Sequence, residues 1–166
     1  MLKLTTQTYI QMKKITFILF ALLAGTTFAQ TTVSTAAEIV EAIKFTENAG
    51  LNFGKVDNTA GTVIIATDGV VSGTKTQVSG GSATSAASLT VTGSADEAYT
   101  ITVPTTASLT GPSSATLNVT AIGHNSNETL DGDGNEIVNI GGTLNVATGQ
   151  TAGAYTGTIS VTVSYN

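Results

Sequence analysis

Apolar and polar residues take turns along most of this chain, and the period of their alternation is two. Tyr99, Ile101 and Val103 alternate with Thr100 and Thr102, and Leu117, Val119 and Ala121 alternate with Asn118 and Thr120. In the longest run, Ile159, Val161, Val163 and Tyr165 are interleaved with Thr158, Ser160, Thr162 and Ser164. Successive side chains of a β-strand point to opposite faces, so the pattern describes strands with one face in a core and the other in water. A slip of one residue in such a strand would expose its whole apolar set.

Further strands are expected at Ile39 to Phe45, Leu51 to Val56, Thr62 to Thr67, Ser88 to Thr92 and Leu144 to Ala147. Turns are expected at Asp68-Gly69, Ser79-Gly80-Gly81, Gly111-Pro112, Asp131-Gly132, Gly141-Gly142 and Gly149. Their recurrence every ten or so residues is the spacing of a β-sandwich rather than of strand–helix–strand units. The sequence therefore predicts an all-β, antiparallel sandwich of about seven to nine strands. Thr35 to Ile43 has room for a short helical turn, and no other stretch of this part of the chain has a helical period. The outward positions are mostly Thr, whose β-branch suits a strand and whose hydroxyl suits water.

A different pattern precedes the strands. Lys13 and Lys14 lead into the apolar run Ile15 to Ala24 and then into Thr27-Phe28-Ala29. A basic start, a short apolar stretch and small residues at the cut are the parts of a secretory signal peptide, here residues 1–29, with Met12 a plausible true start. The apolar run is too short for a transmembrane anchor, and the exported chain is read as one domain, 30–166, without a membrane anchor. Removing the signal leaves Lys44, Lys55 and Lys75 against all 11 acids and no Arg, a net charge of about −8. Three scattered lysines cannot neutralise a phosphate backbone or an anionic membrane surface, so nucleic acid is not an expected partner.

Only 10% of the chain is charged, and it has no Cys and one His. Disulfides, thiolate metal sites, thiol nucleophiles, a lipid-anchoring cysteine and multi-histidine cages are thereby excluded. Asp131, Asp133 and Asn135 space their oxygens as calcium loops do, but Glu136 and Gly142 stand where such a loop needs Gly and a bidentate Glu. A turn between strands is the preferred reading of Asp131-Gly132-Asp133-Gly134-Asn135. His124 lies among loop-forming polar residues, where a solvated role outweighs a catalytic one, and the adjacent acids Asp96 and Glu97 read as a solvated corner. No catalytic residue, metal or cofactor is expected, and the chain is read as a non-enzyme.

Several segments together resemble the domain-of-unknown-function family 4402. They are Leu51-Asn52-Phe53-Gly54, Gly61-Thr62-Val63, Leu89-Thr90-Val91-Thr92-Gly93, Tyr99-Thr100-Ile101-Thr102-Val103-Pro104, Gly141-Gly142-Thr143-Leu144, Gly153-Ala154-Tyr155-Thr156-Gly157 and Val161-Thr162-Val163-Ser164-Tyr165. The resemblance implies an immunoglobulin-like fold, similar to pilin subunits of the common-pilus type, and no established activity. Subunits of chaperone–usher pili finish in an alternating strand with a glycine fourteen positions from the end and a penultimate aromatic, positions held here by Gly153 and Tyr165. That similarity implies an assembly strand made of Gly153, Ile159, Val161, Val163 and Tyr165, completed by β-augmentation. The partners it implies are copies of the chain or other pilin-like subunits, with a periplasmic chaperone and usher. Ahead of the domain, Gln30 to Ala37 offers only Val33 as a larger apolar residue. Ile39, Ile43 and Phe45 are better donor-strand candidates, with Glu41 among them.

The expected function is that of an exported, non-enzymatic structural or adhesive protein of the periplasm or cell surface, a fimbrial subunit or a surface β-sandwich. The alternative is a monomeric secreted module that binds a glycan or calcium through its loops.

Overall fold

A computed structural model describes residues 30–166, and the predicted signal peptide lies outside the described residues. Residues 39–166 form one compact unit. The described residues of the preceding unit, 30–38, are exposed and carry no regular secondary structure.

The compact unit is all-β and antiparallel. Its strands are β1 (Lys44–Ala49), β2 (Gly61–Ile65), β3 (Val71–Gly73), β4 (Ala87–Thr92), β5 (Tyr99–Thr102), β6 (Ala107–Thr110), β7 (Thr116–His124), β8 (Asn135–Val146) and β9 (Thr162–Tyr165). The larger sheet runs β1-β4-β8-β2-β3, with β7 on the other edge of β8 and β6 beyond it. β5 and β9 form a second, two-stranded sheet.

β8 organises the larger sheet. Ile140 pairs with Ala87 on one side and His124 on the other, and Leu144 pairs with Val63 on one side and Val119 on the other. One edge of β8 thus serves β4 first and β2 afterwards. The expected turn at Gly141-Gly142 falls where the neighbour changes, inside the strand, and is corrected by this pairing. A Cβ on Gly141 would stand 2.4 Å from the Ile65 carbonyl oxygen, so glycine is there for close backbone approach rather than for a turn. The strand expected at Leu144 to Ala147 accordingly begins at Asn135.

Three other expectations shift. Ile39 to Phe45 becomes β1, which starts at Lys44; Ile39 is 95% exposed, and the Glu41 amide donates to Ser94 Oγ at 2.6 Å instead of to a strand. Leu51 to Val56 is not a strand. Only Asn52 makes a bridge, to Ser85, because its side-chain oxygen accepts from the Gly54 amide at 2.8 Å and Gly54 takes a φ of 73°, which turns the chain. No helical turn forms in Thr35 to Ile43. The Asp68-Gly69 turn is present, with the Gly69 amide on the Ala66 carbonyl at 2.9 Å, and it leads into β3.

Two apolar clusters hold the unit together. The first gathers Val63 and Ile65 of β2, Leu89 of β4, Leu117, Val119 and Ile122 of β7 and Ile140, Leu144 and Val146 of β8. The second gathers Val91, Tyr99, Ile101, Leu130 and Val138, with Ile43, Val163 and Tyr165 packed against it. Val161 touches both clusters. Fully burying one such aliphatic side chain stabilises by about 1.5–3 kcal/mol, and no polar or charged residue among those described dilutes the core.

Candidate functional site

The segment running into β9 keeps the alternation of its sequence. Ile159, Val161, Val163 and Tyr165 are half-buried, and Thr158, Ser160, Thr162 and Ser164 are exposed. Pairing is shorter than the alternation, covering only Thr162 to Tyr165 opposite Thr102 to Tyr99. Continued in that register, Ser160 would face Pro104, which has no N–H to give, and the ladder stops. Thr156 resumes contact as a bridge to Thr110, with amide–carbonyl distances of 2.8 and 3.0 Å. Gly153 lies outside the strand at φ 149°, where a Cβ would stand 2.3 Å from Pro112 Cγ.

The pairing also fixes which backbone groups of β9 face outward. The Asn166 amide is directed to the Ala98 carbonyl at 3.5 Å, and antiparallel ladders alternate, so Thr162 and Ser164 turn their N–H and C=O groups to β5. Those of Val163 and Tyr165, and of Val161 before them, point away from β5. On the far edge of β5 the amides are occupied: Tyr99 donates to the Glu128 carbonyl at 3.0 Å and Ile101 to Glu128 Oε1 at 3.3 Å. β9 has no strand partner among the described residues other than β5.

The open edges differ in their defences. β1 carries Lys44 and Glu47 and a register shift between Glu47 and Ala49, while β3 has only three residues. Charges, bulges and shortness are how proteins blunt sheet edges. β9 has none of the first two, and no Asp, Glu, Lys or Arg occurs anywhere from Ile137 to Asn166. One end of β9 is anchored by Tyr165, whose hydroxyl donates to the Glu41 carbonyl at 2.7 Å and accepts from the Ser94 amide at 2.8 Å. Gly93 leaves room for it, since a Cβ there would stand 2.1 Å from the Tyr165 oxygen.

A polar network that the sequence does not announce joins β5, β8 and the loop after β7. The hydroxyl of fully buried Tyr99 donates to Glu136 Oε2, which also accepts from Ser126 Oγ at 3.1 Å; Glu136 Oε1 accepts from the Asn127 amide at 2.7 Å. Burial, and then the Glu136 hydrogen bond, push the Tyr99 hydroxyl up to about 12. His124 Nδ1 accepts from the Ser126 amide at 3.3 Å, not from its hydroxyl, so the ring holds the backbone of the loop after β7. The only sequence signal for the network is a tyrosine at an inward position that needs a partner for its hydroxyl.

The remaining candidate residues have local duties. Asp131 Oδ1 accepts from the Asp133 amide at 3.0 Å and the Asn135 amide at 2.8 Å, and Asn135 Nδ2 donates to the Asp133 carbonyl at 3.0 Å, the geometry of a turn. Asp96 and Glu97 are joined to that region through backbone bonds to Asp131 and Leu130. Lys75, with a side chain only 3% exposed, pairs with Asp57 and donates to the Thr59 carbonyl at 2.7 Å. Its hydrogen bond, with those of Thr59, holds the Asp57 carboxyl down at about 2. Among the described residues, no three His, Asp or Glu side chains gather as a metal site, and no helix is long and apolar enough to cross a membrane.

No curated protein and no solved structure matches the chain. A family does: the sequence model described as "Domain of unknown function (DUF4402)" matches residues 43–165, which takes in all nine strands. The chain therefore belongs to the DUF4402 family.

Proposed function

We propose that this protein is an exported, non-enzymatic structural or adhesive component of a cell surface, pilin-like in build, which works by adding a strand to the β9 edge. In this reading the two sheets are the layers of an immunoglobulin-like sandwich. One layer is left narrow, and the periplasm or outer surface is its place of action, reached through the signal peptide.

The observation that carries the reading is the state of β9. Outward-facing backbone groups at Val163 and Tyr165, half-buried apolar side chains on the inner face and an uncharged stretch of sequence coincide on one edge. An incoming extended segment would gain main-chain hydrogen bonds and cover apolar surface in one step. Phe45 of β1, which lies opposite Val91 of β4 yet remains 46% exposed, adds apolar surface on the first strand of the larger sheet.

Electron microscopy and light scattering on the purified exported protein test the reading. It expects association that substitutions on β9 abolish. A species that stays monomeric at every concentration, with β9 amides already protected, would remove it.

A further inference from the structure

The proposed function requires a strand at the β9 edge, and resting on that reading, we infer that the strand is β9 of a second copy, paired antiparallel about a two-fold axis at Val163. The β5–β9 sheet has two strands, and two-stranded sheets are marginal by themselves. Pairing two copies turns it into a four-stranded sheet, β5-β9-β9-β5.

The strand is complementary to itself. Outward-facing backbone groups occur at alternate residues, so an axis at Val163 sets Val163 against Val163 and Val161 against Tyr165, each as a hydrogen-bonded pair. On the inner face valines meet valines and tyrosines, and on the outer face Thr162 meets Ser164, hydroxyl against hydroxyl. Charge favours the same occupant. Two copies of an acidic chain repel each other over most of their surfaces, and β9 itself brings no Asp, Glu, Lys or Arg to the edge where they would meet. The six-residue edge strand of the larger sheet, β1, is guarded by its bulge and charges, so association closes at two and does not propagate.

Sedimentation of the purified exported protein over a concentration series tests this, with two substitutions. Val163→Pro removes an N–H that makes no bond to β5, and Ser164→Lys puts a charge on an exposed outer position; neither takes a bond from the fold. The expected result is a doubling of mass with concentration, with dissociation constants raised about tenfold or more in either variant and the melting temperature nearly unchanged in Ser164→Lys, whose side chain lies outside the apolar clusters. Assemblies that grow beyond two, and that both substitutions abolish, would overturn the dimer while keeping β9 as the pairing edge. A chain that associates equally well in both variants would overturn the inference and the proposed function together; one that is monomeric throughout would overturn the inference, and the proposed function with it where the β9 amides are already protected.

Discussion

The Tyr165 hydroxyl donates to the backbone carbonyl of Glu41 across 2.7 Å, so β9 holds down the segment that leads into β1. The same oxygen accepts from Ser94 and rests in space that only a glycine at position 93 leaves open. The strand edge proposed for pairing is therefore fixed at one end before any partner arrives, which lowers the entropy that pairing has to overcome.

Tyr165→Phe removes both bonds and is expected to cost about 1–2 kcal/mol in urea unfolding. Gly93→Ala drives a methyl into the hydroxyl and is expected to cost about 1–3 kcal/mol. Combined, they should cost less than the sum, because the phenylalanine removes the oxygen that the methyl strikes; strict additivity would show that the two do not share this contact.

The Tyr99 latch gives stability a high-pH limit. Its folded pKa of about 12 lies above the ordinary value of 10.0, so the neutral hydroxyl is the form the fold prefers. The contribution is complete below about pH 10 and is lost as pH rises towards about 12. Tyr99→Phe should flatten that part of a stability–pH curve and cost about 1–2 kcal/mol at neutral pH, as Glu136 loses a donor. An unchanged alkaline limb would contradict the latch.

The Lys75–Asp57 pair sets an acid limit of opposite sign. With the carboxyl held at about 2 against an ordinary 3.8, its contribution is present above about pH 4 and lost as pH falls through about 2. Asp57→Asn should remove that loss and lower stability at neutral pH, since the sheltered Lys75 ammonium keeps only its Thr59 acceptors. Chemical denaturation at several pH values reads both effects.

Gly141→Ala is expected to cost about 2 kcal/mol or more, because the new Cβ meets the Ile65 carbonyl, which belongs to backbone and cannot swing away. Gly149→Ala, where nothing lies within 4 Å of the new carbon but φ is 71°, should cost about 1 kcal/mol from backbone strain alone. Thermal melts of the two variants separate crowding from strain.

How legible this fold is depends on how cleanly each strand alternates. β4, β5, β7 and β9 are visible because one face of each is buried or half-buried and the other is hydroxyl-rich. β8 is hidden twice. Ile137 is 64% exposed beside buried Val138, which breaks the period, and Gly141-Gly142 imitates a turn. β3 has only three residues, and β6, Ala107–Thr110, carries a single large apolar side chain, Leu109. At the β9 edge, Val163 and Tyr165 could be named from sequence, but Pro104 as the residue that shortens the ladder, and the room at Gly93, depend on register and three-dimensional proximity. Gly153, chosen by its distance from the end, is a corner packed on Pro112.

Hydrogen exchange at the Val163 and Tyr165 amides, followed as protein concentration is raised, tests the central claim most directly. The account expects both to exchange quickly in dilute solution and to slow by about tenfold or more as copies pair, with the outward amides of β1 unaffected. Exchange at Val163 and Tyr165 that is independent of concentration, with slowing at β1 instead, would contradict it.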